Sequence, residues 1–484
     1  MTPSESRAAF FRAFPAVASA LVLGSIDQTI TATALPAISA AFGEVERIAW
    51  VVVGYLLAGT IAAAVFGRLG DALGRKRMLL VAFGIQAAGS VAAALAPGFE
   101  ALLLARLAQG FGGGGLLTLA MAVVGESVTA RERGRYQAWL VACFMGASAF
   151  GPLAGGWLTA LFGWRSVFLA GLPLAATGAW LTLRLPHRPP AATRFRFDAL
   201  GALLFTAFVL ALLGLLDRIQ RMSWEALPWA AGFGAFALLA CAALLRVERR
   251  VPDPLLPVPV LSEASVWRAN ALSACVAGAI VSLISFLPFY LIAVRGVPVA
   301  TAGLMLLPMS LGGGLGALVS GSFTARTGRT MLLPVIGLVF ATAMLCVLAG
   351  FAGRMPLWLL PWMLGLVTLG FGTTFPSVQT TVQVAAGAGM LGVATASVQF
   401  MRNLGSSTGA ALLGAVLFGT LALMDAGLAQ RFAEIMRGGR DALATLPPGE
   451  LARLAEGFRA LFIGAAVLAG VATVLACRVP LRRV

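Results

Sequence analysis

Charged side chains are rare inside the long apolar runs of this sequence, and three of them have the potential for chemistry. Asp27, Arg106 and Arg402 each stand within such a run. A charge at the centre of a membrane helix costs roughly 2.5–3.5 kcal/mol on insertion scales, so charges kept there usually have a function. Burial raises the pKa of a carboxyl and a neighbouring arginine lowers it. We therefore expect Asp27 to exchange a proton and Arg106 to pair with it.

The positions of these residues along their runs support the pairing. Asp27 lies nine residues before Pro36, and Arg106 lies six residues after Glu100. At 1.5 Å per helical residue these separations are about 13 Å and 9 Å, so the two side chains are expected at similar depths. The alternatives are a hydrated Asp27 near the interface and an Arg106 that is only a static structural partner. Arg402 is equally compatible with structural pairing to backbone carbonyls.

Residues for other kinds of chemistry are scarce. The five cysteines lie in apolar runs without CxxC spacing, and His187 is the only histidine. This pattern argues against histidine-based metal sites and catalytic triads. Residues 110–115 match the dinucleotide pattern GxGxxG, but that motif needs a preceding strand, whereas glycines inside an apolar run allow close helix packing. The sequence predicts no catalytic residue, no metal site and no bound cofactor.

Composition identifies the elements that must position the three charges. The chain has 484 residues, of which 60% are apolar and 11% are charged, whereas soluble domains average about 45–50% and 25%. An ordinary soluble enzyme, a disordered chain and a fibrous protein are thereby excluded. The formal net charge of +16 is also typical of nucleic-acid binding, so the location of the basic residues matters.

Fourteen apolar runs in the sequence are candidates for bilayer spans, since about twenty residues in a helix cross the hydrocarbon core. We therefore expect an all-α polytopic membrane protein. The runs are Phe14–Leu35, Trp50–Phe66, Met78–Ala96, Ala101–Val124, Tyr136–Leu161, Ser166–Leu185, Ala199–Leu216, Leu227–Leu245, Ala269–Ala293, Ala302–Ser320, Met331–Ala349, Leu357–Phe375, Gly392–Leu421 and Ala460–Cys477.

The runs divide into two halves. The pattern Gly-x-x-x-(Asp/Ala)-x-x-Gly-Arg occurs at 67–75 and again at 321–329. Two parallel six-helix halves, residues 1–190 and 251–484, with two inserted helices in 191–250, would explain this repeat. Such repeats are a transporter architecture with a binding site between the halves.

A long outer loop is expected at about 422–459. Within it, Leu451, Leu454 and Phe458 follow helical spacing between charged residues. This pattern predicts an amphipathic helix on the outer membrane surface, or equally a solvated loop helix without a role.

The basic residues indicate the orientation. With the amino terminus in the cytoplasm, about two thirds of the 35 basic residues fall on cytoplasmic segments, as the positive-inside rule requires. An even number of helices places both termini there. The net charge is therefore a topology signal, and we expect the lipid bilayer as partner and no nucleic acid.

The loop between the second and third runs has the most specific pattern in the chain. It reads GRLGDALGRKR over residues 67–77 and resembles the signature loop of the major facilitator superfamily at its defining positions. Glycines there permit a tight turn and close helix approach. A basic loop that only sets orientation would not require Gly67, Asp71 and Gly74.

This resemblance implies contacts between the halves. Asp71 is expected to cap the helix of the other half, Gly392–Leu421, where the helix dipole favours an anion. Arg75 is expected to pair with Glu126 at the end of the fourth span. Together these contacts would form a conformational latch on the cytoplasmic side.

Further stretches resemble the fourteen-helix drug:proton antiporter family within that superfamily. Proline bends a helix, and neighbouring glycines allow tight packing, so simple helix packing would also produce part of this pattern. The stretches are IDQTITATALP around Asp27, RLAQG from Arg106, the antiporter motif formed by Gly151, Pro152, Gly155 and Gly156, and RNLG from Arg402.

The resemblance implies a proton-coupled exporter of lipophilic compounds, working by alternating access in the inner membrane as a monomer. Protons would be the coupling ion, and neutral, weakly anionic or monocationic compounds the substrates, with any adaptor protein unknown. Arg402, Asn403 and Gln28 are the candidates for lining the substrate cavity. The alternatives are an exporter or importer of one metabolite, a non-transporting membrane sensor and a membrane enzyme.

Overall fold

The computed structural model describes residues 3–44, 47–48, 50–186, 197–220, 227–425, 427–428, 431–432, 448–481 and 483. His187 lies outside the described residues, as do the expected boundary at 190/191 and most of the expected outer loop.

The first seven helices form what we call the N-terminal bundle. Their apolar side chains pack around cores that contain no residue beyond Leu185. The helices are α1 Pro3–Phe42, α2 Trp50–Leu73, α3 Arg75–Ala94, α4 Phe99–Ser127, α5 Ala130–Phe162, α6 Ser166–Leu169 and α7 Leu172–Leu183.

Two helices, α8 Ala199–Gln220 and α9 Leu227–Glu248, follow as an inserted pair. The remaining helices form the C-terminal bundle, whose core begins at Val266. They are α10 Val258–Leu261, α11 Ala264–Phe289, α12 Val299–Met305, α13 Leu307–Thr327, α14 Leu332–Phe351, α15 Leu360–Gly372, α16 Thr374–Ala386, α17 Leu391–Met424 and α18 Pro448–Arg478.

In the described part of the chain, thirteen helical segments are long and apolar enough to cross a membrane. The one expected span that is missing from this set is the twelfth, Leu357–Phe375, which falls on α15 and the start of α16, each only 13 residues long. The two helices meet at Thr373, whose backbone stays in the right-handed helical region. The helical path therefore continues through the break.

The surface of the bundles carries large apolar side chains. Leu153, Trp157, Leu238 and Trp358 are each 70% or more exposed. An apolar surface of this extent is typical of a membrane-facing or interaction surface. The all-α polytopic fold predicted from the sequence is confirmed.

The segment around Leu451 differs from the expected surface helix. It belongs to α18, a single helix from Pro448 to Arg478. Leu454 and Phe458 are buried in the C-terminal core. The prediction of an amphipathic helix on the outer membrane surface is therefore wrong for this segment, because the apolar face of the segment packs inside the bundle.

The two bundles meet along paired helices. α2 packs against α17, and α5 packs against α13. The inserted pair lies beside this interface, where Phe205 of α8 contacts Phe400 of α17 at 5.3 Å between ring centroids. The space between the bundles is the place to look for a binding site.

Candidate functional site

Asp27 and Arg106 form an ion pair buried inside the N-terminal bundle. Asp27 lies on α1 and Arg106 on α4, and Arg106 Nη1 donates to Asp27 Oδ2 at 2.9 Å. The arginine side chain is 0% exposed and the aspartate side chain 7%. The similar membrane depths that the sequence predicts for the two residues are consistent with this contact.

Arg106 has more partners than the sequence indicated. Its Nε donates to the carbonyl oxygen of Val51 at 3.1 Å, and its Nη1 also donates to Gln109 Oε1 at 2.8 Å. Gln109 Nε2 in turn donates to Asp27 Oδ1 at 3.0 Å and to Ser90 Oγ at 2.8 Å. Each carboxylate oxygen of Asp27 thus accepts a hydrogen bond from α4. The signal for Gln109 was its position three residues after Arg106, on the same helix face.

Aromatic rings and glycines seal the pair from its surroundings. The Tyr55 ring centroid lies 4.4 Å from the guanidinium carbon of Arg106, and that of Phe168 lies 5.7 Å away. A Cβ on Gly110 would overlap the backbone of Tyr55. The glycine run of α4 therefore brings α2 close, and the pair lies in a desolvated pocket where a cation–π contact contributes about 2 kcal/mol.

A cavity of about 320 Å³ lies between the two bundles. It does not include the Asp27–Arg106 pair. Ser25, two residues before Asp27 on α1, touches the cavity wall, because Ser25 Oγ lies 2.5 Å from Ser148 Oγ. Most of the lining is apolar, as is usual for small-molecule sites. Its polar side chains belong to Ser148, Ser310, Thr368, Gln399 and Arg402.

Arg402 gives the cavity a positive charge. The cavity lining, as far as the chain is described, contains no acidic residue and no other charged one. The guanidinium carbon of Arg402 lies 4.8 Å from the Phe375 ring centroid. Arg402 and Phe375 thus lie side by side in the cavity wall.

The other two cavity candidates lie elsewhere. Asn403 Nδ2 donates to Thr60 Oγ1 at 2.9 Å, and its Oδ1 accepts from Gln399 Nε2 at 3.1 Å. Asn403 therefore bridges α17 to α2 rather than lining the cavity. Gln28 is half-buried on α1 and is absent from the cavity lining.

One end of the molecule, which we call the latch end, holds residues 67–77 against the start of α17. Both oxygens of Asp71 accept the backbone N–H of Gly392 at 2.9 Å, and Oδ2 also accepts that of Val393 at 3.1 Å. A helix N-terminus carries about half a positive charge. The contact is the cap implied by the signature loop, and it joins the two bundles.

Arg75 completes the charge cluster at the latch end. It donates from Nη2 to Asp71 Oδ1 at 2.6 Å and from Nη1 to Glu126 Oε2 at 2.5 Å. Two glycines make this geometry accessible. Gly74 has φ of 94°, a region that favours glycine, and a Cβ on Gly67 would lie 2.7 Å from the carbonyl oxygen of Gly392.

The sequence repeat corresponds to a second contact between the bundles. A Cβ on Gly321 of α13 would overlap the backbone of Gly134 of α5, as Gly67 meets Gly392. Ala325 stands where Asp71 stands in the first copy, and Arg131 supplies the polar contact instead. Its Nε donates to the carbonyl oxygen of Ala325 at 3.1 Å and its Nη2 to that of Arg326 at 2.7 Å. Here a cation binds a helix C-terminus, whose dipole favours positive charge.

The glycine–proline run of α5 packs against α1. A Cβ on Gly151 would overlap Thr29, and Gly155 meets the same helix one turn later. Pro152 and Gly156 are exposed, and nothing lies within 4 Å of a Cβ built on Gly156. Two of the four motif residues therefore position α1, which carries Asp27.

The sequence has many relatives among transporters. A sequence model of the Major Facilitator Superfamily matches residues 17–410. An uncharacterized MFS-type transporter of Mycobacterium tuberculosis is 33% identical over 417 residues, which cover 83% of this chain and 59% of that relative. The multidrug transporter protein MdtP of Bacillus subtilis is 27% identical over 82% of this chain and 73% of its own. The chain thus spans less than two thirds of the length of the mycobacterial relative.

Solved structures show the same fold. The human organic anion transporter MFSD10 aligns with a TM-score of 0.66 over 98% of this chain and 100% of that one, at 16% identity. These family and structural neighbours are transporters, not enzymes. With the family model matched over most of its length, and with two bundles joined by the signature loop, the chain belongs to the Major Facilitator Superfamily.

Proposed function

We propose that this protein is a proton-coupled antiporter that exports lipophilic compounds across the cell membrane by alternating access. The observation that carries the proposal is the buried Asp27–Arg106 pair next to a largely apolar cavity between the bundles. The similarity to a multidrug transporter protein supports export of several compounds, and the apolar cavity lining supports their being lipophilic. Protons are the coupling ion in this proposal.

The proton step takes place at Asp27. A proton on the carboxyl weakens its attraction to Arg106, because the pair then loses its opposite charges. The hydrogen bonds from Arg106 and Gln109 hold α1 against α4, so protonation loosens α1. The contact between Ser25 and Ser148 transmits that change to the cavity wall.

The cavity selects the substrate. Its mostly apolar wall favours lipophilic molecules, and Arg402 favours those that are neutral or carry a negative charge. The absence of an acid in the described lining disfavours dications, because a desolvated cation near Arg402 would be repelled.

Alternating access requires the bundles to open at one end while they close at the other. Among the described residues, the hydrogen bonds between bundles lie from the middle of the helices to the latch end. With the latch end in the cytoplasm, as the basic residues indicate, this arrangement is closed to the cytoplasm. We propose a monomer as the working unit, since the ion pair and the cavity are complete in one chain.

The experiment that tests this function uses purified protein in liposomes loaded with a lipophilic anionic dye. We expect an imposed pH gradient to drive the dye against its concentration gradient, with proton movement in the opposite direction. In Asp27→Asn, uphill transport should be lost while exchange of labelled for unlabelled dye continues. Glu100→Gln, which alters an exposed carboxylate outside the pair, is the matched control and should keep both activities.

Two outcomes would contradict the proposal. Undiminished proton coupling in Asp27→Asn would show that another group carries the proton. Transport of a single metabolite with no exchange of several unrelated lipophilic compounds would favour a dedicated metabolite transporter.

A further inference from the structure

Two more carboxyl groups are buried together where the inserted helices meet. Asp198 directly precedes α8 and Glu248 ends α9, and they are 7% and 4% exposed. Each has one oxygen that is satisfied by a backbone N–H. Asp198 Oδ1 accepts from Gly201 at 2.7 Å, and Glu248 Oε2 accepts from Leu256 at 3.0 Å.

The other oxygen of each carboxyl is buried without a hydrogen-bond partner among the described residues. These are Asp198 Oδ2 and Glu248 Oε1. Both lie beside the place where a Cβ on Gly201 would stand, Glu248 Oε1 at 2.9 Å and Asp198 Oδ2 closer still. Both orphan oxygens lie within 3 Å of this one point, so they are at most about 5 Å apart, and Gly201 places no Cβ between them.

Two buried carboxylates this close repel each other, and neither orphan oxygen has a donor among the described residues. A single proton removes both costs, since one O–H then donates to the other carboxylate. Calcium is a poor alternative, because it takes six to eight oxygen ligands. No group of three or more His, Cys, Asp or Glu residues suited to a metal is found in the described ranges.

The charged groups around the pair connect it to the latch end. Arg68 of α2, next to the latch residue Gly67, pairs through Nη2 with Asp253 Oδ1 at 3.1 Å. Asp253 lies three residues before Leu256, whose N–H binds Glu248. On the other sides α17 presents apolar Phe400, while Arg249 and Arg250, which directly follow α9, are exposed.

We propose that Asp198 and Glu248 share one proton and form a second proton-binding site, separate from Asp27, that clamps the inserted helices to the latch end. With the proton bound, the ends of α8 and α9 are held together. When the proton leaves, the carboxylates repel, and the segment that carries Leu256 and Asp253 moves away from Arg68. Proton release at this site therefore loosens the support of α2 beside the latch.

Infrared spectroscopy on purified protein in lipid nanodiscs tests the proposal. The Asp27→Asn background removes the carboxyl of the ion pair from the spectrum. In that background we expect the carbonyl stretch of one protonated carboxyl at neutral pH, which disappears on alkaline titration. Glu248→Gln and Asp198→Asn should each remove this band. Asp253→Asn, a matched change in the same cluster, should leave it in place.

A second measurement guards against a folding defect. Glu248→Gln keeps an N–H donor toward Asp198, so it should fold and mimic the protonated pair. The melting temperature of the protein should fall as the pair deprotonates at alkaline pH, and this fall should be smaller in Glu248→Gln. A protonated-carboxyl band that persists in Glu248→Gln, or that is absent at neutral pH before that change, overturns the proposal. Neither measurement involves substrate or transport, so its failure leaves the antiporter proposal standing.

Discussion

Arg106 has the largest fully buried side chain in the described structure. Its charge made it visible in the sequence, whereas its uncharged partners were not predicted. A charge inside an apolar run stands out because it is costly there, which identified Asp27 and Arg106. Gln109, Ser90 and Tyr55 complete the network. Uncharged polar residues are common in helices, so only the helix faces brought together in the fold reveal them.

Arg402 permits a direct test of substrate charge. We expect Arg402→Gln to weaken binding of a lipophilic anion by about tenfold, the 1.4 kcal/mol scale of one charge-assisted contact. Binding of a neutral compound of the same shape should change little. Fluorescence titration of purified protein with the two ligands gives both dissociation constants.

Arg402→Lys is the matched control for that experiment. It keeps the positive charge while removing the planar guanidinium, so it should retain most of the anion affinity. Equal losses for the anion and the neutral compound in Arg402→Gln would mean that the arginine shapes the cavity and does not recognise charge.

At the scale of helices, the two contacts between bundles share a geometry but differ in chemistry. In each, two helices cross at a pair of glycines, Gly67 with Gly392 and Gly134 with Gly321. The first is closed by an anion at a helix N-terminus and the second by Arg131 at a helix C-terminus. The resemblance of residues 67–77 to the signature loop implied the first contact, and the repeat at 321–329 marked the second place. The repeat alone did not reveal the polar partner there, because Arg131 lies on α5 and outside the repeated motif.

The glycine crossing can be tested by adding one methyl group. Gly392→Ala places a Cβ against the carbonyl oxygen of Gly67 and near Asp71. Overpacking of this kind typically costs 1–3 kcal/mol. We expect about a 5- to 150-fold shift of the equilibrium away from the closed latch end. Distances between spin labels on α2 and α17 at the latch end report the two populations.

Gly156→Ala is the matched control, because a Cβ there meets nothing within 4 Å. It should leave the label distances unchanged. A Gly392→Ala protein with wild-type distances would show that the helices tolerate a wider crossing and that the glycines do not set the closed state.

At the scale of the whole molecule, the helical class and the number of apolar runs could be predicted from the sequence, but the structure of two of those runs could not. The twelfth run breaks into two short helices at Thr373. The sequence did not predict this break, because Gly370-Phe371-Gly372-Thr373 does not interrupt the apolar pattern. The helix of the last run begins earlier than expected, at Pro448. Its first turns are charged on one side, but their apolar residues Leu454 and Phe458 are buried against other helices and not against lipid. Apolar patterning reports burial but does not distinguish lipid from a neighbouring helix.

The orientation derived from the basic residues makes a prediction for intact cells. Cysteines introduced at Arg329, near the latch end, and at Glu100, near the opposite end of α4, should differ in access to a membrane-impermeant maleimide. We expect labelling at position 100 above the wild-type background and none at 329 until the membrane is permeabilised. The reverse pattern would place the latch end outside and overturn the proposed direction of export.

The long reach of the Asp71 cap has a consequence for biosynthesis. Asp71 and Gly392 are 321 residues apart in the chain, so at 5–20 residues per second about 15–60 s separate their emergence from the ribosome. During that interval the carboxylate has no helix terminus to bind. Arg75, one helical turn away, supplies a local counter-charge from the start. We therefore expect the N-terminal bundle to insert and pack before α17 is made. When α17 arrives, its N-terminus binds a carboxylate that is already paired with Arg75.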